Sequence, residues 1–118
     1  MTYVWVFVGG GLGSLCRFAL AQWLNRSDDY PWGTLLANGL ACIILGVLVG
    51  MASKQSLSAE PRLLLMTGFC GGFSTFSTFS NELVQMLRQT DYTSAFIYLM
   101  LSLVFGLLAI VLGMRVAG

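Results

Sequence analysis

The sequence predicts an all-α membrane protein with four transmembrane helices, the third of them broken between Gly71 and Ser74. Three observations carry this. Only 9% of the 118 residues are charged and 57% are hydrophobic, whereas a soluble domain carries roughly 25% charged residues. Lipid must therefore supply part of the solvent. Apolar runs close to the roughly 20 residues that cross the hydrocarbon as a helix can be drawn four times. Finally, residues 68–82 read G-F-C-G-G-F-S-T-F-S-T-F-S-N-E inside an apolar segment. A lipid-facing helix has no use for so many small and hydroxyl side chains; a broken helix lining a polar path does.

The first span covers residues 3–24. No basic region precedes its apolar run and no A-x-A pattern precedes Arg17, so it reads as a retained span rather than a cleaved leader. A polar loop, 25–30, leads to Pro31, which suits a helix start. The second span covers 32–52. A short link, 53–59, leads into the third, 61–88, which holds the polar stretch. The fourth covers 93–114. The loops are too short for another domain, so residues 1–118 form one four-helix unit. Tyr3, Trp5, Trp23, Tyr30, Trp32 and Tyr92 fall near the span ends, as an interfacial belt would.

Net charge is +1 with no His, and no basic patch exists to neutralise phosphates, so nucleic acid is not a partner. Cys16, Cys42 and Cys70 lie in apolar runs and are odd in number. They read as small packing residues rather than as a disulfide or zinc site. The run Gly9-Gly10-Gly11-Leu12-Gly13-Ser14 looks like a phosphate loop but has no strand before it and lies inside a span, so it reads as helix packing. Gly9 and Gly13, Gly46 and Gly50, and Gly68 and Gly72 recur four apart, a spacing that lets backbones approach in lipid, within one subunit or between two.

With four spans, Lys54, Arg62 and Arg115 share one side of the membrane while Arg26 and Arg88 share the other. Three against two gives little orientation preference. The functional reading is dual topology, copies inserting both ways and pairing antiparallel; otherwise insertion is oriented by features this count misses.

Arg17 lies well inside a span, where an ionised group is costly. It either satisfies buried carbonyls as an anchor or faces a water-filled vestibule. Asn38, strongly polar in an apolar span, either hydrogen-bonds across helices or offers N–H to an anion. On an ideal helix Phe76, Phe79 and Leu83 share one face, and Ser74, Thr78, Asn81, Glu82 and Gln85 another. Ring edges are positive and ring faces negative. The phenylalanines therefore favour an anion edge-on or a cation face-on, if they are not plain packing residues. Gly71-Gly72 tolerates a helix break, whose freed carbonyls a sodium ion or a water can satisfy; the other option is a continuous helix.

The stretch 68–82 resembles the third-span signature of the Fluc/CrcB fluoride channels. The G-x-x-G-S-L-x-R-F motif from Gly10 to Phe18, the G-T-L-x-x-N motif from Gly33 to Asn38, and a fourth span with Tyr98 and Ser102 agree with it. The resemblance covers essentially the whole chain. It implies a passive, fluoride-selective exporter in the cytoplasmic (inner) membrane of a bacterium, an antiparallel homodimer with two pores that lowers fluoride toxicity. It also implies a structural sodium ion (Na+) at the dimer centre, held by backbone carbonyls of Gly71 and Ser74. Phe76 and Phe79 would face the pores edge-on, Asn38 would donate to fluoride, and Ser77 and Thr78 would form a polar track. Glu82, Tyr98 and Ser102 would lie along the pathway, and Arg17 near a vestibule or in a structural role. Two departures stand out: Ser74-Thr75 where the family often has Thr-Thr, and Ala41 where N-x-x-G is common.

The competing reading is a small dual-topology, proton-coupled multidrug exporter, which needs a membrane-embedded carboxylate. Glu82 is the only acid inside a span, and it lies near the span's end rather than at the midplane. Neither reading involves an enzyme.

Overall fold

The computed structural model describes residues 1–24, 31–54 and 57–117. Among these every regular element is helical. Helix α1 is Thr2–Leu24 and α2 is Trp32–Ser53. Helix α3, Ala59–Arg62, passes directly into a π-helical segment, Leu63–Cys70, and then α4, Gly71–Phe73. Helix α5 is Phe76–Arg88 and α6 is Tyr92–Ala117. The expected loop 25–30, with Arg26 and Tyr30, and positions 55–56 of the expected link lie outside the described residues.

Helices α1, α2 and α6 hold 23, 22 and 26 residues, long and apolar enough to cross a membrane. At about 1.5 Å per residue each exceeds the roughly 30 Å hydrocarbon. Their outer faces are apolar and open: Phe7, Leu15 and Phe18 on α1, and Leu103, Leu107 and Leu108 on α6, are all exposed. These spans make the chain a membrane protein.

Helix α1 runs along the π-helical segment and α4, while α2 runs along α6. Glycine permits both contacts. A Cβ at Gly9 would overlap Leu64 O, at Gly13 Phe69 O, and at Gly72 Gly10 O. On the other side, a Cβ at Gly46 would overlap Ile110 O, and one at Gly113 would lie 2.5 Å from Ile43 O. The paired small residues therefore serve packing within one chain, where close backbone approach replaces the hydrophobic drive that lipid does not supply.

Two apolar clusters flank α2. Ala37, Ala41 and Phe73 pack with Leu20, Ile44 and Phe69, so the methyl of Ala41 is simply part of a core. Phe79, Met86, Ala95 and Tyr98 pack with Leu35, Leu83 and Leu99.

The helix break falls at the C-terminal edge of the expected place. Gly71 and Gly72 remain helical and neither has positive φ. The extended residues are Ser74 (φ −82°, ψ 155°) and Thr75 (φ −151°, ψ 121°). Hydroxyl chemistry makes this break. Ser74 donates from both its amide (3.0 Å) and its Oγ (2.8 Å) to Cys70 O, closing α4. Thr75 Oγ1 accepts from Thr78 N at 3.2 Å, opening α5 as an N-cap. One consequence corrects the unbroken-helix reading. Ser74 lies outside α5 and does not share a helical face with Thr78. Asn81 and Gln85 are exposed, whereas Glu82 is half-buried.

Candidate functional site

The break is tied to α2 by one side chain. Asn38 Nδ2 donates to Thr75 O at 3.3 Å, and Thr75 N donates to Asn38 Oδ1 at 2.8 Å. The amide thus pairs with an extended residue as a neighbouring strand would, satisfying backbone groups that the break removed from the helix ladder. One Nδ2 hydrogen is committed to this pair. An amide has two, and Asn38 also lines a cavity.

That cavity is about 290 Å³, bounded by α2, the break, α5 and α6. Its walls bring together Asn38, Ser74, Phe76, Phe79 and Ser102 among the expected residues, with Leu35, Gly39, Cys42 and Phe105 beside them. The Phe76 and Phe79 rings lie 6.2 Å apart at 45°. They differ in setting: Phe79 is 8% exposed and Phe76 is 79% exposed. Ser102 Oγ is buried against the cavity and has no hydrogen-bond partner among the described residues. A buried hydroxyl without a partner costs about 1–3 kcal/mol, so this one is suited to a bound acceptor or water.

Behind Phe79 lies a second polar group. The Phe79 ring packs on Tyr98 at 5.0 Å and 51°. Tyr98 OH donates to Glu82 Oε1 at 2.8 Å, and Thr34 Oγ1 donates to Glu82 Oε2 at 2.9 Å. Tyr98 is fully buried and Thr34 is 4% exposed. Both carboxylate oxygens are therefore held by hydroxyls on other helices. Thr34 had no assigned role from the sequence. Its signal was there: it lies four residues before Asn38, on the same face of α2.

Ser77 and Thr78 are not among the cavity walls. Ser77 is exposed, with Oγ 3.4 Å from Thr75 Oγ1, and Thr78 is half-buried. Arg17 Nε donates to Gly72 O at 3.1 Å, so the charge in the first span rests on a carbonyl freed at the end of α4. Gly71 is exposed, and a Cβ there would meet nothing within 4 Å. Cys70 O is taken by Ser74 and Gly72 O by Arg17. No donor among the described residues reaches the carbonyls of Gly71 and Ser74.

Residues 4–114 match the family model described as CrcB-like protein, Camphor Resistance (CrcB). The chain belongs to the CrcB family. Its relatives include a protein named fluoride-specific ion channel FluC from Phocaeicola vulgatus, 44% identical over 92% of this chain and 91% of the relative. Another of that name, from Pyrococcus abyssi, is 41% identical over 98% of this chain and 95% of the relative. A third, from Thermus thermophilus, is 39% identical over 98% and 93%.

Proposed function

We propose that this chain is a fluoride-selective channel that lets fluoride leave the cytoplasm passively across the cell's cytoplasmic membrane. One observation carries the reading: a cavity bounded by the apolar helices α2 and α6 combines the Asn38 amide, the Ser102 hydroxyl, which has no partner among the described residues, and the rings of Phe76 and Phe79. The names of the relatives supply the ion. Fluoride is small and strongly hydrated, so a pore must replace lost water with donors, and conduction requires binding weak enough to release. Several modest donors suit that better than one buried cation. The second Nδ2 hydrogen of Asn38, the Ser102 hydroxyl and positive ring edges fill this role. Ser77 and Thr78 extend the track toward the exposed end of α5, and Tyr98 and Glu82 continue it behind Phe79.

Residues 59–88, in two helical pieces joined at Ser74-Thr75, make the fourth crossing. The functional unit is an antiparallel homodimer in lipid with two pores. The exposed Phe76 and the open face at Gly71 support this, because one chain leaves both uncovered. A structural sodium ion fits the same face. Cations favour helix C-termini, unwound carbonyls ligate sodium in membranes, and no donor among the described residues reaches the Gly71 and Ser74 carbonyls. Carbonyls would have to suffice, because no cluster of His, Cys, Asp and Glu among the described residues could hold a metal.

Purified protein in liposomes should release fluoride, followed with a fluoride electrode, and retain chloride. Phe76→Ile and Phe79→Ile should each cut that efflux by about tenfold or more, a barrier increase of about 1.4 kcal/mol. Equal release of chloride and fluoride, or full flux in both variants, would remove the reading.

A further inference from the structure

Three glycines of α2 face α6, and they do not meet the same thing. At Gly46 an added Cβ would overlap Ile110 O, and at Gly50 it would lie 2.9 Å from Ala117 Cβ and 3.0 Å from Met114 O. At both, a backbone carbonyl of α6 lies close against the glycine. At Gly39, about two turns away, the three atoms nearest the same Cβ all belong to the Phe105 ring, among them Cζ at 2.8 Å and Cδ2 at 2.9 Å. At this level the Phe105 side chain, rather than the α6 backbone, stands closest to α2. Gly39 and Phe105 both line that cavity, next to Asn38 and Ser102.

We infer that Phe105, seated on Gly39, is a third aromatic wall of the anion path and sets its bore; this deepens the fluoride-channel reading and rests on it. The physical argument lies in what yields. A methyl at position 46 would press on a backbone carbonyl, which cannot move without separating the helices. A methyl at position 39 presses on the far end of a side chain that turns about two torsions. The ring gives way, and the open space beside it is the cavity. A small change at Gly39 therefore narrows the path without dismantling the fold. Removing the ring widens the path on the side of α6, where neither Phe76 nor Phe79 can compensate.

The test uses purified chains in liposomes, with fluoride and chloride efflux both read and oligomer elution checked. Gly39→Ala should lower fluoride efflux by about tenfold. Adding Phe105→Ala to Gly39→Ala should restore most of it, because the clash partner is gone. Phe105→Leu alone should raise chloride release relative to fluoride. If wild-type liposomes release both anions alike, the channel reading itself fails. If wild type is selective but Gly39→Ala keeps full flux, the inference is overturned. The same holds if the loss persists in a double variant that elutes like wild type. Should Gly39→Ala not fold, an unchanged anion ratio in Phe105→Leu overturns it, and a shifted ratio supports it.

Discussion

Thr90 sits at φ 56° in the turn between α5 and α6, a conformation that costs a β-branched residue about 1–2 kcal/mol. The turn earns it by closing α5: Thr90 N donates to Leu87 O at 3.0 Å and Asp91 N to Met86 O at 2.9 Å, a Schellman-like end in which glycine usually stands. Asp91 Oδ1 then accepts from Ser94 N at 3.3 Å and caps α6. Thr90→Gly should raise the midpoint of thermal unfolding in detergent by a few degrees, a gain of about 0.5–1 kcal/mol; a lower midpoint would show that the strain is relieved elsewhere. Asn38 illustrates the opposite case, a residue used to its limit. Asn38→Asp keeps the acceptor for Thr75 N but sets a carboxylate oxygen against Thr75 O and removes the spare donor. Fluoride efflux should fall by about tenfold or more, and unfolding should be easier by about 1–3 kcal/mol. Wild-type efflux in this variant would end the donor role.

At the scale of elements, the glycines sort by what opposes them. Gly9 and Gly46 each face a carbonyl of a neighbouring helix, so Gly9→Ala and Gly46→Ala should each destabilise the assembly by about 1–3 kcal/mol. Gly11, on the same helix as Gly9, would meet nothing within 4 Å. Gly11→Ala should be neutral or slightly stabilising, since alanine is the better helix former by about 1 kcal/mol. Denaturation of the three variants in one detergent checks the order; equal effects would mean that the close backbone contacts contribute little. The broken segment follows a similar logic. Its glycines serve close approach, and the break itself comes from the hydroxyls of Ser74 and Thr75 together with Asn38 from another helix. The double glycine lies just before the break, but glycine's conformational freedom is not what the chain uses there.

For the molecule as a whole, the telling surface is the one that a single chain leaves open. Phe76 is 79% exposed beside a polar break, and Gly71 looks into empty space. Gly71→Ala should leave the helix content of the chain unchanged, since nothing within the chain opposes the methyl. It should shift the protein from dimer toward monomer by light scattering in detergent, if a second copy and a cation meet at this face. A dimer as stable as wild type would place the partner surface elsewhere. The proposed antiparallel pairing belongs to this scale too, because it would be a property of a population of chains inserted both ways.

The sequence by itself determined what solvent the chain needs, where α1, α2 and α6 begin and end within a few residues, and which residue types could line an ion path of either sign. Those features are local: apolar run length, aromatic residues at span ends, hydroxyls interleaved with phenylalanines. Its motifs also sufficed for the family. Only the tertiary structure decided the rest. It joined Asn38 to Thr75 and Thr34 to Glu82, pairs 37 and 48 residues apart. It separated Phe76 from Phe79 in burial, placed Arg17 on Gly72 O, and left Ser77 and Thr78 off the cavity wall. It also set Phe105 on Gly39. These follow from how helices approach one another. Periodicity along one helix fixes its faces only while the helix is unbroken, and here two extended residues and a π-helical turn reset the register before the site begins.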